Sequence, residues 1–153
     1  MERIASFCVN HDLLTPGMYT SRVDGDITTY DVRMFTPNAG EYLAPAAAHT
    51  LEHLLATKAR NSAAKEHVIY VGPMGCLTGF YFLVRDLSPE DSIALVQECM
   101  DFAASFAGEI PGASRVECGN YLMNDLVAAK KVAACMCRVL DGWKPEQLIY
   151  KNS

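Results

Sequence analysis

Two histidines four residues apart stand out as a candidate metal site. In HTLEHLL (residues 49–55) they are His49 and His53, and Glu52 precedes the second. Side chains four positions apart project from the same face of an α-helix, so both imidazoles could bind one metal ion. Glu52 lies one position off that face, as the acid/base carboxylate does in the H-x-x-E-H arrangement of inverted zinc peptidases. Two solvent-exposed helix residues would have the same spacing, so the spacing alone leaves both interpretations open.

A third ligand would have to come from further along the chain. A catalytic tetrahedral site usually has three protein ligands and one open position. Candidates include Glu109, Glu117, Cys118 and Asp125. Cys118 is favoured because it lies in ECGN, a glycine-containing loop ahead of a predicted helix, where a thiolate would complete a His₂Cys site. The alternative is a buried structural cysteine.

Cys76 is a second candidate for reactivity. It follows Gly-Pro-Met-Gly and opens an apolar segment that predicts a strand. A cysteine at such a junction, close to a metal, could have a lowered pKa and act as a base or nucleophile. The alternative is a core cysteine that simply begins the strand. We interpret the other four cysteines as structural: Cys8, Cys99, Cys135 and Cys137.

The surrounding sequence predicts an α+β fold. Alternating apolar residues and turn signals predict four strands, at residues 18–24, 27–35, 67–72 and 76–84. Helical periodicity predicts three helices. The first runs from Pro45 to Ala64, the second from the Ser88 N-cap to about Gly108, and the third over 124–140 with Asn124 as N-cap. A last helical turn is predicted in WKPEQLIY. Two hairpin-like pairs and these helices favour an antiparallel β-sheet covered by helices.

Composition predicts one ordinary globular domain over residues 1–153. A net charge of −5 gives no electrostatic footprint for nucleic acid, and no basic run suggests a membrane surface. The N-terminal segment lacks the apolar stretch of a signal peptide, and FYFLV is too short to span a bilayer. We therefore expect a cytoplasmic protein whose six cysteines are not paired in disulfides.

Five segments together resemble the S-ribosylhomocysteine lyase (LuxS) family. They are SFCVNH (6–11), YDVRMFTPN (30–38), HTLEHLLA (49–56), PMGCLTGFY (73–81) and ECGNYLMNDL (117–126), and they occur in the order of the family. The resemblance implies a LuxS-like α/β sandwich and a homodimer whose two active sites are shared between subunits. It also implies a ferrous iron cofactor, with zinc or cobalt as substitutes.

The resemblance further implies roles for individual residues and a reaction. The implied metal ligands are His49, His53 and Cys118. The implied acid/base groups are Cys76 and Glu52. The residues implied to contact the ribosyl group, from the neighbouring subunit, are Ser6, His11 and Arg33. The implied reaction converts S-ribosylhomocysteine to homocysteine and dihydroxy-pentanedione, the autoinducer-2 precursor, through enolisations and β-elimination. A metal would polarise the carbonyl, and two proton carriers would act on opposite sides of the sugar.

Four residues depart from the usual pattern of the family, one of them Asn10, which precedes His11 where the family has an aspartate. Tyr70 stands at about the place of an acidic residue, Gly72 replaces a small polar residue, and Leu77 follows the cysteine where a polar residue is common. They concern the end of the substrate that carries homocysteine rather than the metal or the proton carriers.

Two further functions remain open from the sequence. One is a small H-x-x-E-H metallohydrolase or peptidase, whose third ligand would be a carboxylate rather than Cys118. The other is a non-catalytic metal-binding dimer, in which Cys76 and Glu52 would be dispensable. The substitutions Cys118→Ala and Glu52→Gln separate these functions from the lyase.

Overall fold

A four-stranded antiparallel sheet and three α-helices form the described part of the chain, residues 1–151 of the computed structural model. The strands lie in the order β1-β2-β4-β3 and are β1 (Gly17–Asp24), β2 (Ile27–Arg33), β3 (Val68–Pro73) and β4 (Gly79–Arg85). The helices are α1 (Pro45–Ala59), α2 (Pro89–Ser105) and α3 (Leu126–Val139). Short 3₁₀ turns occur at Ala5–Phe7, Lys65–His67 and Pro145–Leu148. The predicted α+β architecture with an antiparallel sheet is confirmed.

One face of the sheet forms the core with the helices. Tyr30 of β2 pairs with Phe82 of β4, and only 1% of the surface of Phe82 is exposed. Leu51 and Leu54 of α1 are fully buried in the same cluster. Because side chains alternate along a strand, the residues between these core positions point to the other face of the sheet. That second face carries polar side chains of the candidate active site.

Helix α1 is shorter than the sequence predicts. It begins at Pro45, whose missing N–H costs nothing at the first helical position. It ends at Ala59 instead of continuing to Ala64, because the Ser62 hydroxyl donates to the Ala59 carbonyl oxygen and accepts from the N–H of Ala64. These local hydrogen bonds form a turn that competes with the helical ones.

The start of α2 is confirmed and that of α3 is corrected. The Ser88 side chain accepts from the N–H of Asp91, as an N-cap should. In α3 the cap is Asp125, which accepts from the N–H of Ala128, and the helix begins two residues after Asn124. Asn124 is not the cap because its side chain binds other parts of the site.

The predicted strand 76–84 begins later, at Gly79. Residues 74–77 form a turn in which the Leu77 N–H donates a hydrogen bond to the Met74 carbonyl oxygen. Leu77 has a φ of +60°. A Cβ on Gly79 would lie 3.1 Å from the Cα of Arg33, so only glycine lets the backbones approach this closely. Cys76 therefore stands in a turn rather than at the start of a strand. Strand β2 likewise ends at Arg33 and not at 35.

The last predicted helical turn, in WKPEQLIY, is a 3₁₀ turn at Pro145–Leu148. Within residues 1–151, no helix combines the length and the apolar character that crossing a bilayer would require.

Candidate active site

The two histidines and Cys118 meet at one point of the structure. His49 and His53 lie on successive turns of α1, and their Nε2 atoms are 3.0 Å apart. The Sγ of Cys118 lies 3.3 Å from Nε2 of His49. One ligand atom of each residue lies within 4.8 Å of the other two, and all three residues are half-buried. The structure thus brings together the three residues predicted as metal ligands.

Backbone carbonyl groups orient both imidazole rings. Nδ1 of His49 lies 2.6 Å from the carbonyl oxygen of Met123, and Nδ1 of His53 lies 2.7 Å from that of Pro111. A carbonyl oxygen only accepts, so each Nδ1 donates its hydrogen. The Nε2 atom of each neutral ring then presents a lone pair to the cluster, as in most metal-binding histidines.

The loop that carries Cys118 is fastened to α1 by side chains. The Thr50 hydroxyl donates to Oδ1 of Asn124 over 2.9 Å and accepts from the N–H of Asp125 over the same distance. Asn124 also donates to the carbonyl oxygen of Tyr121. Thr50 lies beside His49 and is fully buried. These bonds hold the end of the loop against the helix that presents the histidines.

Gly112 allows the loop before Cys118 to approach His53 closely. Its φ of +70° lies in the left-handed region, and a Cβ on it would stand 3.1 Å from Nδ1 of His53. Any larger residue would therefore strain the backbone and press on the ring. Gly112 follows Pro111, whose carbonyl orients the same ring.

A metal ion fits this donor set. Two Nε2 lone pairs that face each other over 3.0 Å repel unless a positive charge lies between them. In a tetrahedral site with metal–nitrogen bonds of about 2.0–2.1 Å, two nitrogens stand roughly 3.3 Å apart, close to the observed spacing. Two imidazoles and one thiolate suit zinc or iron and leave one position open. The N–H of Asn120 donates to Sγ of Cys118 over 3.4 Å and helps to orient the sulfur.

Glu52 stands on the same helix, one position before His53. Its side chain is half-buried, and it has no ion-pair partner among residues 1–151. A carboxylate in this position is free to exchange a proton with a bound molecule.

Cys76 lies in a second group of polar residues, around Arg33. Its Sγ is 3.0 Å from the Thr78 hydroxyl and 3.8 Å from Nη1 of Arg33. The same Nη1 donates to the Thr78 oxygen over 2.7 Å. The Thr78 hydroxyl hydrogen is therefore free to donate to the sulfur. Cys76 itself is exposed.

These contacts favour the thiolate of Cys76. Partial burial raises the pKa of the thiol, but the hydrogen bonds from the side chain and backbone of Thr78, together with the charge of Arg33, lower it below its ordinary value. A cysteine near a fixed cation with a lowered pKa is suited to act as a base or nucleophile.

Arg33 is held by a buried ion pair. Its Nη2 donates to Oδ2 of Asp31 over 2.7 Å, and its Nε donates to Oδ1 over 3.1 Å. Asp31 is only 1% exposed and Arg33 only 3%. Burial opposes the charge on Arg33, but the hydrogen bonds and charge of Asp31 outweigh burial and raise the pKa of Arg33. A two-pronged pair of this kind fixes the plane of the guanidinium.

Ser6 and His11 lie beside the same group. Both line a cavity that also contains Arg33 and Cys76. Nδ1 of His11 lies 2.9 Å from the carbonyl oxygen of Val9, which leaves its Nε2 available to a bound molecule. The structure thus brings Ser6, His11, Arg33 and Cys76 together.

The predicted site falls into two parts within one chain. Among the residues that the structure describes, neither of the two cavities lined by Cys76 is lined by His49, His53 or Cys118. The thiol thus belongs with Ser6, His11 and Arg33 rather than with the metal ligands.

Sequence reasoning missed several residues of both groups. Asp31 could have been found, because alternation along β2 places it on the same face as Arg33. Thr78, Met123 and Pro111 carried no such signal. The first follows a turn, and the other two act through backbone carbonyls that any residue has.

The remaining cysteines differ among themselves, although the six are all free of disulfides as predicted. Cys99 is buried as expected of a structural residue, and burial raises its pKa to about 12. Cys8 and Cys135, which the sequence predicted to be structural, are exposed and are therefore not buried structural cysteines.

The fold and this site define an α+β protein with a candidate His₂Cys metal centre and a separate thiol paired with arginine. The S-ribosylhomocysteinase (LuxS) family model matches residues 4–147, and the chain belongs to this family. It is 45% identical over 156 positions to the S-ribosylhomocysteine lyase of Clostridium acetobutylicum, covering 98% of this chain and 99% of the relative. The lyase of Clostridium beijerinckii is 47% identical over 99% of this chain and 100% of its own. That of Porphyromonas gingivalis strain W83 is 44% identical with the same coverage.

Proposed function

We propose that this protein cleaves the thioether of S-ribosylhomocysteine to homocysteine and dihydroxy-pentanedione, the autoinducer-2 precursor. The observation that carries the proposal is the meeting of His49, His53 and Cys118 within 4.8 Å in a chain of the S-ribosylhomocysteinase family. Relatives that cover nearly the whole chain are named for this lyase. Membership of the family favours neither the metallohydrolase nor the non-catalytic metal-binding dimer that the sequence left open.

The reaction requires protons to move beside a carbonyl group. The ribose opens to an aldose, enolisations move the carbonyl along the sugar, and β-elimination breaks the carbon–sulfur bond. The electron pair of that bond leaves with the homocysteine sulfur, which takes up a proton. Each enolisation removes one proton and delivers another at the neighbouring carbon, so the site needs positioned acid/base groups. A bound metal would supply Lewis-acid polarisation of the carbonyl oxygen.

Cys76 and Glu52 are the proposed proton carriers. The contacts of Cys76 with Thr78 and Arg33 favour the thiolate, which is the form that can remove a proton. Glu52 lies beside His53 on α1 without an ion-pair partner in the described chain, so its carboxylate is available to the substrate. Ser6, His11 and Arg33 provide hydroxyl, imidazole and guanidinium groups that can bind sugar hydroxyls.

His49, His53 and Cys118 would hold the metal, which we propose to be ferrous iron. Imidazole and thiolate ligands suit iron, and also zinc or cobalt as substitutes. The thiolate offsets part of the positive charge of the metal, which suits exchange of sugar oxygens better than activation of water.

A homodimer with shared active sites would join the two parts of the site. Within residues 1–151, the two cavities lined by Cys76 include none of the metal ligands, although the proposed reaction needs both groups. Each part also carries an exposed apolar side chain at its edge. Phe7, which lines the cavity of Cys76, is 63% exposed, and Leu122, next to Met123, is 79% exposed. A second copy of the chain would cover both.

We further propose that residues 1–153 form one catalytic domain and that it works in the cytoplasm. The thiols of Cys76 and Cys118 must stay reduced to move protons and bind metal, and the cytoplasm maintains thiols in that state.

The deciding experiment follows homocysteine release. The protein is purified without oxygen and loaded with iron(II), and the bound metal is counted. S-ribosylhomocysteine is then added, and the new free thiol is measured with a thiol reagent. We expect release with the wild type and none with Cys76→Ala. Cys135→Ala is the matched control, since Cys135 is exposed on α3 and its sulfur accepts from Arg138 of the same helix.

The proposed function would be overturned if the protein held one metal per chain and released no homocysteine. Release by Cys76→Ala at the wild-type rate would retain the lyase but remove Cys76 as a proton carrier.

A further inference from the structure

The C-terminal segment of the described chain lies across β1. The Trp143 indole N–H donates to the carbonyl oxygen of Met18 over 3.1 Å, and its ring meets Tyr19 edge-on at 6.0 Å. The ring of Tyr150 stacks on that of Tyr19, with the two ring centroids 5.2 Å apart. Gly17 makes room for Trp143, since a Cβ there would lie 2.8 Å from the indole Cζ2. These contacts fix the position of Tyr150.

Tyr150 is hydrogen-bonded to the buried ion pair behind Cys76. Its hydroxyl donates to Oδ2 of Asp31 over 2.7 Å, and that oxygen also accepts from Arg33. Burial and the negative charge of Asp31 raise the pKa of Tyr150 far above its usual value. The hydroxyl therefore keeps its hydrogen at neutral pH. It donates to Asp31 permanently and does not itself transfer protons.

We propose that Tyr150 is a positioning residue for Cys76, acting through Asp31 and Arg33. The contacts form one continuous path: Tyr150 Oη to Asp31, Asp31 to Arg33, and Arg33 to Cys76 both directly and through Thr78. This role goes beyond the metal site and the ribosyl contacts, and it rests on the proposed function of Cys76 as a proton carrier.

The effect follows from how the charge of Asp31 is shared. Asp31 is 1% exposed, so its charge is balanced by protein groups rather than by water. A hydrogen bond from Tyr150 takes up part of that charge. Without this hydrogen bond, the negative charge of Asp31 offsets more of the positive charge of Arg33. The electrostatic potential that Arg33 produces at Cys76 is then less positive. The thiolate of Cys76 then becomes less stable, because a nearby cation is what favours it.

Other groups near Cys76 do not replace Tyr150 in this role. The titratable or charged groups that share the first cavity of Cys76 are Arg33, Asp31, Tyr81, His11 and Tyr150, and its second cavity adds Glu41 and Tyr42. Burial raises the pKa of Tyr81, so it too remains neutral. Of these tyrosines, Tyr150 is the one whose hydroxyl donates to Asp31.

The test is the alkylation of Cys76 by iodoacetamide as a function of pH, in the metal-loaded full-length protein. Trypsin releases residues 66–85 as one peptide that contains Cys76 and no other cysteine, so mass spectrometry reports this thiol alone. We expect Tyr150→Phe to raise the pKa of Cys76 by about half a unit, which slows alkylation below that pKa roughly threefold. Tyr42→Phe is the control, since Tyr42 lines the second cavity of Cys76 but is 61% exposed, and its hydroxyl has no hydrogen-bond partner within residues 1–151.

An unchanged pKa of Cys76 in folded Tyr150→Phe would overturn the proposal. A purely structural clamp would lower the melting temperature and leave that pKa in place. Because alkylation needs no turnover, this result is independent of whether the wild type releases homocysteine.

A double-mutant cycle with Asp31→Asn tests the path through Asp31 separately. If Tyr150→Phe is poorly folded, an unchanged pKa of Cys76 in Asp31→Asn would contradict this path on its own. Asp31→Asn removes the charge that opposes Arg33, so we expect the pKa of Cys76 to fall. In that background Tyr150→Phe should cause no further change, because the group through which Tyr150 acts has lost its charge. Equal shifts from Tyr150→Phe in both backgrounds would contradict a path through Asp31.

Discussion

The guanidinium of Arg33 lies with Nη1 3.8 Å from Sγ of Cys76 while its other edge is bound to buried Asp31. The arginine therefore cannot move away from the thiol without breaking a two-pronged ion pair whose side chains are almost wholly buried. It is a fixed positive charge beside the thiol that we propose as a proton carrier.

Arg33→Met should move the pH dependence of the reaction. The thiolate of Cys76 is present above its pKa and lost below it, so raising that pKa moves the rising limb of the activity profile to higher pH. We expect a shift of about one unit, or ~10-fold less thiolate at a fixed pH below it. The measurement is the pH profile of kcat/KM, alongside alkylation of Cys76. Arg22→Met is the control, because Arg22 is an exposed arginine of β1 paired with Asp24. An unmoved limb would mean that Arg33 does not set the charge state of the thiol.

Cys118→Ala should abolish stoichiometric metal binding. It leaves two imidazoles, which are too few ligands for a stable site. Metal content after dialysis, measured by atomic emission, should fall from about one per chain to a small fraction. Cys135→Ala should keep its metal, since that cysteine is exposed on α3. Full occupancy in Cys118→Ala would point to a carboxylate ligand, as in a metallohydrolase.

Glu52→Gln should separate metal binding from turnover. The amide keeps the size of the side chain but cannot exchange a proton, so we expect unchanged metal content and a fall in kcat of ~10²–10⁴-fold. Glu66→Gln, at an exposed glutamate of the 3₁₀ turn after α1, serves as the control. Wild-type turnover by Glu52→Gln would exclude this carboxylate as a proton carrier.

Gly112→Ala should weaken metal binding through His53. The added methyl would press on the ring from 3.1 Å and turn Nε2 away from the cluster, so we expect metal affinity to fall ~10-fold. Gly142→Ala is a matched control. Its φ of +66° imposes nearly the same backbone strain as the +70° of Gly112, but nothing lies within 4 Å of the added Cβ. Equal losses of affinity in both variants would attribute the effect to strain and not to contact with His53.

A mixture of two inactive variants should regain activity if the active sites are shared between subunits. In a heterodimer of Cys76→Ala and His53→Ala, one of the two sites would combine an intact thiol with an intact metal centre. Random pairing makes half of the dimers mixed, so about a quarter of wild-type activity should return. The assay follows homocysteine release after co-expression of the two chains. Co-expressed chains that remain inactive would place Cys76 and His53 of one site in the same subunit.

The fold was predictable where local patterns matched tertiary packing. Alternation in residues 27–33 predicted β2, and Ser88-Pro89 predicted the start of α2. The predictions failed where a side chain found a partner other than the expected one. Asn124 suits an N-cap by type, but Thr50 and the Tyr121 carbonyl bind it, so Asp125 takes that place. Such competition depends on residues far apart in the sequence.

The sequence by itself determined the chemistry that is available. The spacing of His49 and His53 places both on one helix face, because the helix repeat is a local property of the backbone. Only the tertiary structure decided which groups meet. It brought Cys118 to His49 across 69 positions of the chain and Cys76 to Arg33 across 43. It also placed Tyr150 on Asp31, 119 positions away, since packing of the core fixes which loops and strand faces come together.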